Sequence, residues 1–268
     1  MERTSVGNVE VFALSDFVGK YVVAEKYPDS HQLMSEYQSL FDERGRAGMN
    51  FGCFLLRSEG QTILVDAGFG PEFNGRLFEE LGEAGVGADD IDVLLFTHLH
   101  GDHTGWALDR ETGAPLFTRA RYLVPKADWD FFSAEEPQRP SFVKNIAGIA
   151  GSPQLELIEG ELALTSALVT LPTPGHTPGH TAVSITSQGQ QAYVIGDAFM
   201  SPMDVAMPDW TTTWDWNAEM VRETRRTLGE RIEREQALVV SAHLPKPGLG
   251  HFVVTEGKRR WVGTGTSA

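Results

Sequence analysis

Short runs of apolar and β-branched residues, bounded by Gly, Asp or Pro, recur along the whole chain and predict strands. They are VEVFAL (9–14), CFLLRS (53–58), QTILVDAG (61–68), DVLLFT (92–97), RYLVP (121–125), QLELIE (154–159), ALVTLP (167–172), TAVSIT (181–186), QAYVIGD (191–197), ALVVSAH (237–243) and HFVVTE (251–256). Helical periodicity is clearest in PEFNGRLFEELGEAG (71–85) and NAEMVRETRRTLGERIEREQ (217–236), and weaker over 126–132 and 141–149. Residues 16–50 mix polar, aromatic and glycine positions without a period. They read as a long loop or arm near whatever site the chain carries.

Neither a Ser/Gly linker nor a low-complexity tract interrupts the pattern, so residues 1–268 read as a single domain. Each half has several strands, a helix or two, and acidic or histidine residues where a strand gives way to a loop. Two sheets packed face to face with helices outside, an α/β fold, satisfy that plan and gather distant residues at one rim.

Composition narrows the function. At 268 residues and 41% hydrophobic content the chain can bury a full core. Asp and Glu outnumber Lys and Arg by 37 to 22, a formal charge of -15. Nucleic acids and anionic membranes both demand a concentrated basic surface, so neither is an expected partner. No run reaches the roughly 18 apolar residues of a membrane span, and the first residues lack a basic start followed by an apolar core, which points to a cytoplasmic location. The single cysteine, Cys53, sits in an apolar run and reads as a buried strand thiol.

The chemistry is concentrated in FTHLHGDHTGW (96–106), where His98, His100, Asp102 and His103 follow the apolar run IDVLLF. Burying so many polar groups at a strand end needs strong compensation, and a metal supplies it. His98 and His100 point the same way in an extended segment, while Asp102 and His103 follow the turn toward a neighbouring position. That arrangement suits two adjacent cations. Farther on, PTPGHTPGHTAV offers His176 and His180, each after a glycine that can turn the backbone sharply, and one of the two reads as a ligand. Asp197 stands where the run AYVIGD stops; alone it would read as a strand-terminating turn residue, but beside the histidines it suits a carboxylate between two cations. His243 repeats the arrangement at the end of ALVVSAH. His31 carries no such signal.

The ordered set THLHGDH, PGHTPGH, IGDA and SAHLP resembles the metallo-β-lactamase fold superfamily. FGPEFNGRLFEELGEAG, PGHTPGHTAVSITSQGQ and SAHLPKPGLGHFV resemble its methyl parathion hydrolase-like branch. The resemblance covers about residues 60–262. It implies a four-layer αβ/βα sandwich of two mixed sheets, with His98, His100 and His176 on one metal, Asp102, His103 and His243 on the other, and Asp197 bridging. Asp66, in ILVDAG, would support the metal loop from behind, and His180 is expected there or in packing; His251 invites the same reading. Two divalent ions follow, zinc by default from the nitrogen and oxygen donors, with Mn2+, Co2+ or Fe2+ able to take the same ligands.

The implied function is hydrolysis of a small ester, lactone or phosphotriester. A water shared by the two cations would be deprotonated near neutral pH, and Asp102 would orient it and pass a proton to the leaving group. The alternatives in the same fold are a mononuclear iron sulfur dioxygenase and a glyoxalase-type thioesterase. Phe69, Trp106, Phe131, Phe199 and Met200 lie near the motif loops and are the candidates for lining a substrate pocket. Acyl-homoserine lactonases of the superfamily commonly carry a tyrosine where this chain has Met200. The aromatic segment MPDWTTTWDWN (207–217) reads as a pocket lid, a homodimer contact or a core anchor.

Overall fold

A computed structural model describes residues 1–28 and 37–264. In chain order its elements are β1 (Glu2–Val6), β2 (Val9–Val22), α1 (Val23–Lys26), β3 (Arg46–Ser58), β4 (Gln61–Val65), α2 (Leu77–Glu83), β5 (Val93–Leu95), α3 (Gly101–Thr104), β6 (Arg121–Pro125), α4 (Lys126–Ala134), α5 (Pro140–Asn145), β7 (Leu155–Ile158), β8 (Leu168–Pro172), β9 (Thr181–Ser187), β10 (Gln190–Val194), α6 (Pro202–Ala206), α7 (Ala218–Glu235), β11 (Leu238–Val240), β12 (Leu249–Thr255) and β13 (Lys258–Gly263).

The strands form two mixed sheets, one in the order β1-β2-β3-β4-β5-β6-β7 and one in the order β13-β12-β11-β10-β9-β8. Pairing is parallel along β4-β5-β6-β7 and between β10 and β11, and antiparallel elsewhere. Alternation along each strand builds the layers. Val93 and Leu95 face the second sheet in a core with Val183, Ile185, Val194 and Val240, whereas Leu94 faces outward onto Leu77, Leu81 and Phe142 of α2 and α5. On the other side, Tyr193 and Val239 meet Leu228 and Ile232 of α7. The result is a four-layer αβ/βα sandwich. β5 is buried on both faces, which is why its sequence is a continuous apolar run.

Apart from the short helices α1, α3 and α6, which are too brief to show a period, the structure departs from the sequence pattern in three places. Residues 16–22 and 46–50 continue the β2/β3 hairpin past a bulge at Ser15/Phe17, so that much of the unassigned segment is a paired ribbon; residues 29–36, His31 among them, lie outside the described residues. The helix expected over 71–85 is broken into a 3-10 turn, Pro71–Phe73, and α2. Asn74 adopts a left-handed φ of 54°, and the following chain passes against Asp16, whose Oδ1 accepts from Leu77 N and starts α2. The third departure is β1 and β13, which the pattern did not mark. They are edge strands whose charged and polar residues conceal the period.

Candidate metal centre

The ligand-bearing residues sit just past strand ends on one rim. β5 ends at Leu95 and delivers His98 and His100, and the single turn α3 swings Asp102 and His103 to the other side. Asp197 follows β10, and His243 follows β11. Two glycines make the approach possible. Gly175, with φ 136°, would place a Cβ 2.4 Å from Val221 N, and Gly196, with φ 48°, would place one 2.6 Å from His180 Nε2. Each directly precedes a ligand candidate, and neither conformation is open to another L residue without strain.

Two groups of four emerge: His98, His100, His176 and Asp197, and Asp102, His103, His243 and Asp197. In each, one donor atom per residue can be chosen so that all lie within 4.8 Å of one another. Asp197 divides its oxygens between them. Its Oδ2 lies 3.2 Å from His176 Nε2 and 3.7 Å from His98 Nε2, while its Oδ1 lies 3.2 Å from His103 Nε2 and 3.1 Å from His243 Nε2. Asp102 Oδ2 stands 3.5 Å from His103 Nε2 and 3.4 Å from His243 Nε2.

The tautomers show what these atoms lack. Thr97 Oγ1 donates to Asp66 Oδ2 (2.8 Å) and so accepts from His98 Nδ1 (3.0 Å). His176 Nδ1 donates to Asp215 Oδ1 (2.9 Å), His103 Nδ1 to Asp66 Oδ2 (2.8 Å) and His243 Nδ1 to Asn50 O (2.7 Å). With Nδ1 engaged in this way, each of these four rings, when neutral, turns a bare Nε2 lone pair toward the cluster. On one side, His98 Nε2 and His176 Nε2 both crowd His100 Nδ1, at 3.1 and 3.0 Å, and a single proton there cannot serve both. Those spacings approach the edge, about 3.3 Å, of a tetrahedron with Zn–N of about 2.0–2.1 Å. On the other side, His103 Nε2 and Asp197 Oδ1 are buried with no hydrogen bond among the described residues. Acceptors facing acceptors call for cations, and the outer nitrogens of His98, His103, His176 and His243 are already oriented by fixed partners. The donor set fits two divalent ions.

Without cations, protons take their place. Burial opposes charge on His176 and His243, but the Asp197 carboxylate, aided by Asp215 and Asp102 respectively, lifts them to about 9 and about 10. His103 is lifted too, against burial, by Asp197 and Asp102, whereas burial and the neighbouring imidazoles hold His98 and His100 down, His100 to about 3.

Around the ligands, Asp66 also accepts from Thr97 N (2.7 Å), and its positive φ of 64° turns the chain toward His103. His180 stands behind the cluster: its Nε2 accepts from Asp197 N (2.9 Å) and its Nδ1 donates to Thr173 O (3.1 Å). His251 is remote, on β12, with Nδ1 donating to Ala237 O. Four supporting residues carried no sequence signal: Asp215, Asn50, Asp16 and Asp128. Asp128 accepts from Leu99 N, Thr177 Oγ1 and Gly179 N, pinning the two histidine loops together. Asp16 accepts from Phe69 N and Trp106 Nε1.

The cluster floors a cavity of about 670 Å³. One group of lining side chains is Phe17, Phe51, Phe69 and Phe73, with Phe51 and Phe69 centroids 4.5 Å apart; Phe131, Phe132, Trp214 and Trp216 form another, and Met200, Tyr21 and Met49 join them together with the cationic Lys20 and Arg139. Phe69, Phe131 and Met200 thus stand where the sequence suggested. Trp106 and Phe199 do not. Trp106 turns into the α2 core against Phe78, drawn by its bond to Asp16, and Phe199 packs on Phe252 beneath α7. In the 207–217 segment, Trp214 and Trp216 line the cavity while Trp210 packs near Tyr27.

The family model for the metallo-beta-lactamase superfamily matches residues 53–243. The chain is 28% identical over 192 residues to the uncharacterized protein YobT of Bacillus subtilis (67% of this chain, 78% of that one). It is 24% identical over 216 residues to an N-acyl homoserine lactonase of Bacillus thuringiensis (71% and 80%). Among solved structures it is similar to AidC, a dizinc quorum-quenching lactonase in complex with a homoserine product, with a TM-score of 0.88 at 23% identity over 100% and 98% of the two chains. No helix among the described residues is long and apolar enough to cross a membrane. With the family model spanning both histidine loops, Asp197 and His243, the chain belongs to the metallo-beta-lactamase superfamily.

Proposed function

We propose that the protein is a dinuclear metal-dependent hydrolase, with zinc as the default metal, that cleaves a small ester, lactone or phosphotriester. The observation that carries this reading is Asp197, whose two oxygens address two separate ligand groups at the floor of one aromatic-walled cavity. Two divalent cations there would supply a nucleophile from water near neutral pH and polarise the substrate's carbonyl or phosphoryl oxygen. The chain's own residues do the rest. His98, His100 and His176 would hold one cation and Asp102, His103 and His243 the other, while Asp66, Asp215 and Asn50 fix the ring tautomers of His103, His176 and His243. Asp102 is the ligand on the open side, one-fifth exposed, and can accept a proton from the nucleophile and hand it to the leaving oxygen.

Substrate choice follows from the walls. The many aromatic rings of the lining favour flat apolar groups, and the Met200 thioether, a weak acceptor and no donor, supplies no hydroxyl from its own position beside the Asp197 turn, which leaves Tyr21 as the tyrosine of the lining. Substrates with good leaving groups need little proton assistance. Aryl esters, aromatic lactones and aryl phosphotriesters are therefore preferred over acyl-homoserine lactones, in keeping with the likeness of SAHLPKPGLGHFV to the methyl parathion hydrolase-like branch. Comparing kcat/KM across those classes with zinc-loaded enzyme tests the reading. No hydrolysis of any class would refute it, and a clear preference for homoserine lactones would refute the aryl preference.

A further inference from the structure

Besides Gly229, the buried residues of α7 are Val221, Arg225, Leu228 and Ile232, which recur at helical spacing on one face. Three are apolar. Arg225 occupies a core position and is fully buried, where an unpaired guanidinium would be very costly. What it touches explains its presence. Its Nε donates to Ala198 O (2.7 Å) and its Nη1 to Trp210 O. Its Nη2 makes no hydrogen bond among the described residues and lies 3.7 Å from both Asp204 Oδ2 and Asp215 Oδ2.

These contacts converge on the three-histidine side of the cluster. Asp215 receives the Nδ1 proton of His176, and its other oxygen accepts from Thr212 N and Oγ1. Asp204 Oδ2 accepts from Met200 N and Ser201 N, holding the turn that leaves Asp197. Ala198 is the next residue after Asp197. One planar, permanently charged group thus binds the carboxylate that orients His176, the turn that carries Asp197 and the backbone entering the Trp214–Trp216 wall. A lysine, with a single point of charge, cannot span them.

We infer that Arg225 is a positioning residue for the metal held by His98, His100 and His176, acting through Asp215 and the Asp197 turn. The inference rests on the dinuclear reading. A carboxylate orienting a metal-bound imidazole typically accounts for 10- to 100-fold in metal affinity. Losing the guanidinium that faces its Oδ2 frees Asp215 to rotate away from His176 Nδ1–H. The Asp102, His103 and His243 side is braced independently through Asp66 and Asn50, so it loses less.

The test is zinc affinity measured by chelator competition on the full chain for the unmodified protein, Arg225→Lys, Arg225→Gln, Asp215→Asn and the pair Arg225→Gln/Asp215→Asn, with circular dichroism for the fold. The expected result is graded loss of one zinc, about 10-fold or more in Arg225→Gln and smaller in Arg225→Lys, while the second zinc is held. The effects of Arg225→Gln and Asp215→Asn should be less than additive in the double variant, because part of the arginine's effect passes through the Asp215–His176 bond. Zinc held with unchanged affinities in variants whose only change is a lower Tm would overturn the inference. So would failure of both Arg225 variants to fold at saturating zinc, which would make Arg225 a residue of the fold alone. An unmodified protein that binds no pair of zinc ions would instead overturn the dinuclear reading on which this one stands.

Discussion

Asp66→Asn isolates the support of the other metal position. The Asp66 carboxylate accepts three hydrogen bonds, from Thr97 N, Thr97 Oγ1 and His103 Nδ1, at 2.7 to 2.8 Å. The amide keeps the volume but carries a donor on one side. If its nitrogen faces Thr97 N, two donors collide. If it faces His103, the imidazole must move its proton from Nδ1 to Nε2 to accept, and Nε2 is the atom that addresses Asp197 Oδ1 across 3.2 Å. Either way His103 loses a charge-assisted bond, about 1.5–3 kcal/mol, which is about 10- to 150-fold in an equilibrium constant. That agrees with the 10- to 100-fold typical of partners behind a metal-bound histidine. Chelator competition at pH 7 should show the zinc on the Asp102, His103 and His243 side weakened by that factor and the other unchanged. Two zinc ions bound as in the unmodified protein would refute the argument, because the tautomer of His103 would then not depend on Asp66.

Other outcomes follow from the same geometry. His176→Ala should lose a metal, whereas His180→Ala, which removes only the acceptor for Asp197 N and a bond to Thr173, should keep both and cost about 1–3 kcal/mol of stability in chemical denaturation; the reverse metal contents would mean the roles are exchanged. Met200→Tyr should raise kcat/KM for acyl-homoserine lactones and leave aryl esters little changed, and equal effects on both classes would remove the leaving-group argument. Gly196→Ala should destabilise the protein by 2 kcal/mol or more by thermal unfolding, since roughly 1–2 kcal/mol of left-handed strain adds to a clash with His180; an unchanged Tm would show that the turn can relax.

Much of the centre was legible in the sequence because its donors are dense and local. Four of them lie in HLHGDH, and the others follow glycines or strand ends, where alternation and turn chemistry fix direction. The supports were not legible. Asp215 meets His176 across 39 residues and Asn50 meets His243 across 193, so only the fold pairs them. The cavity was half legible for a related reason. Nearness to a motif does not set side-chain direction, so Phe199 points into the α7 core while its neighbour Met200 lines the cavity. The ribbon of β2 and β3, whose mixed pattern gave no period, supplies Phe17, Tyr21, Met49 and Phe51 because one of its faces is covered by the cavity rather than by the core.

The central claim is that Asp197 joins two metal positions in one hydrolytic centre. Elemental analysis of the full chain after zinc loading and desalting, unmodified and as Asp197→Ala, measured beside hydrolysis of an aryl ester, tests it most directly. The account predicts two zinc ions per chain, falling to one or fewer in Asp197→Ala with loss of most activity. A single iron per chain in the protein as purified, or two metals and normal turnover retained in Asp197→Ala, would contradict it.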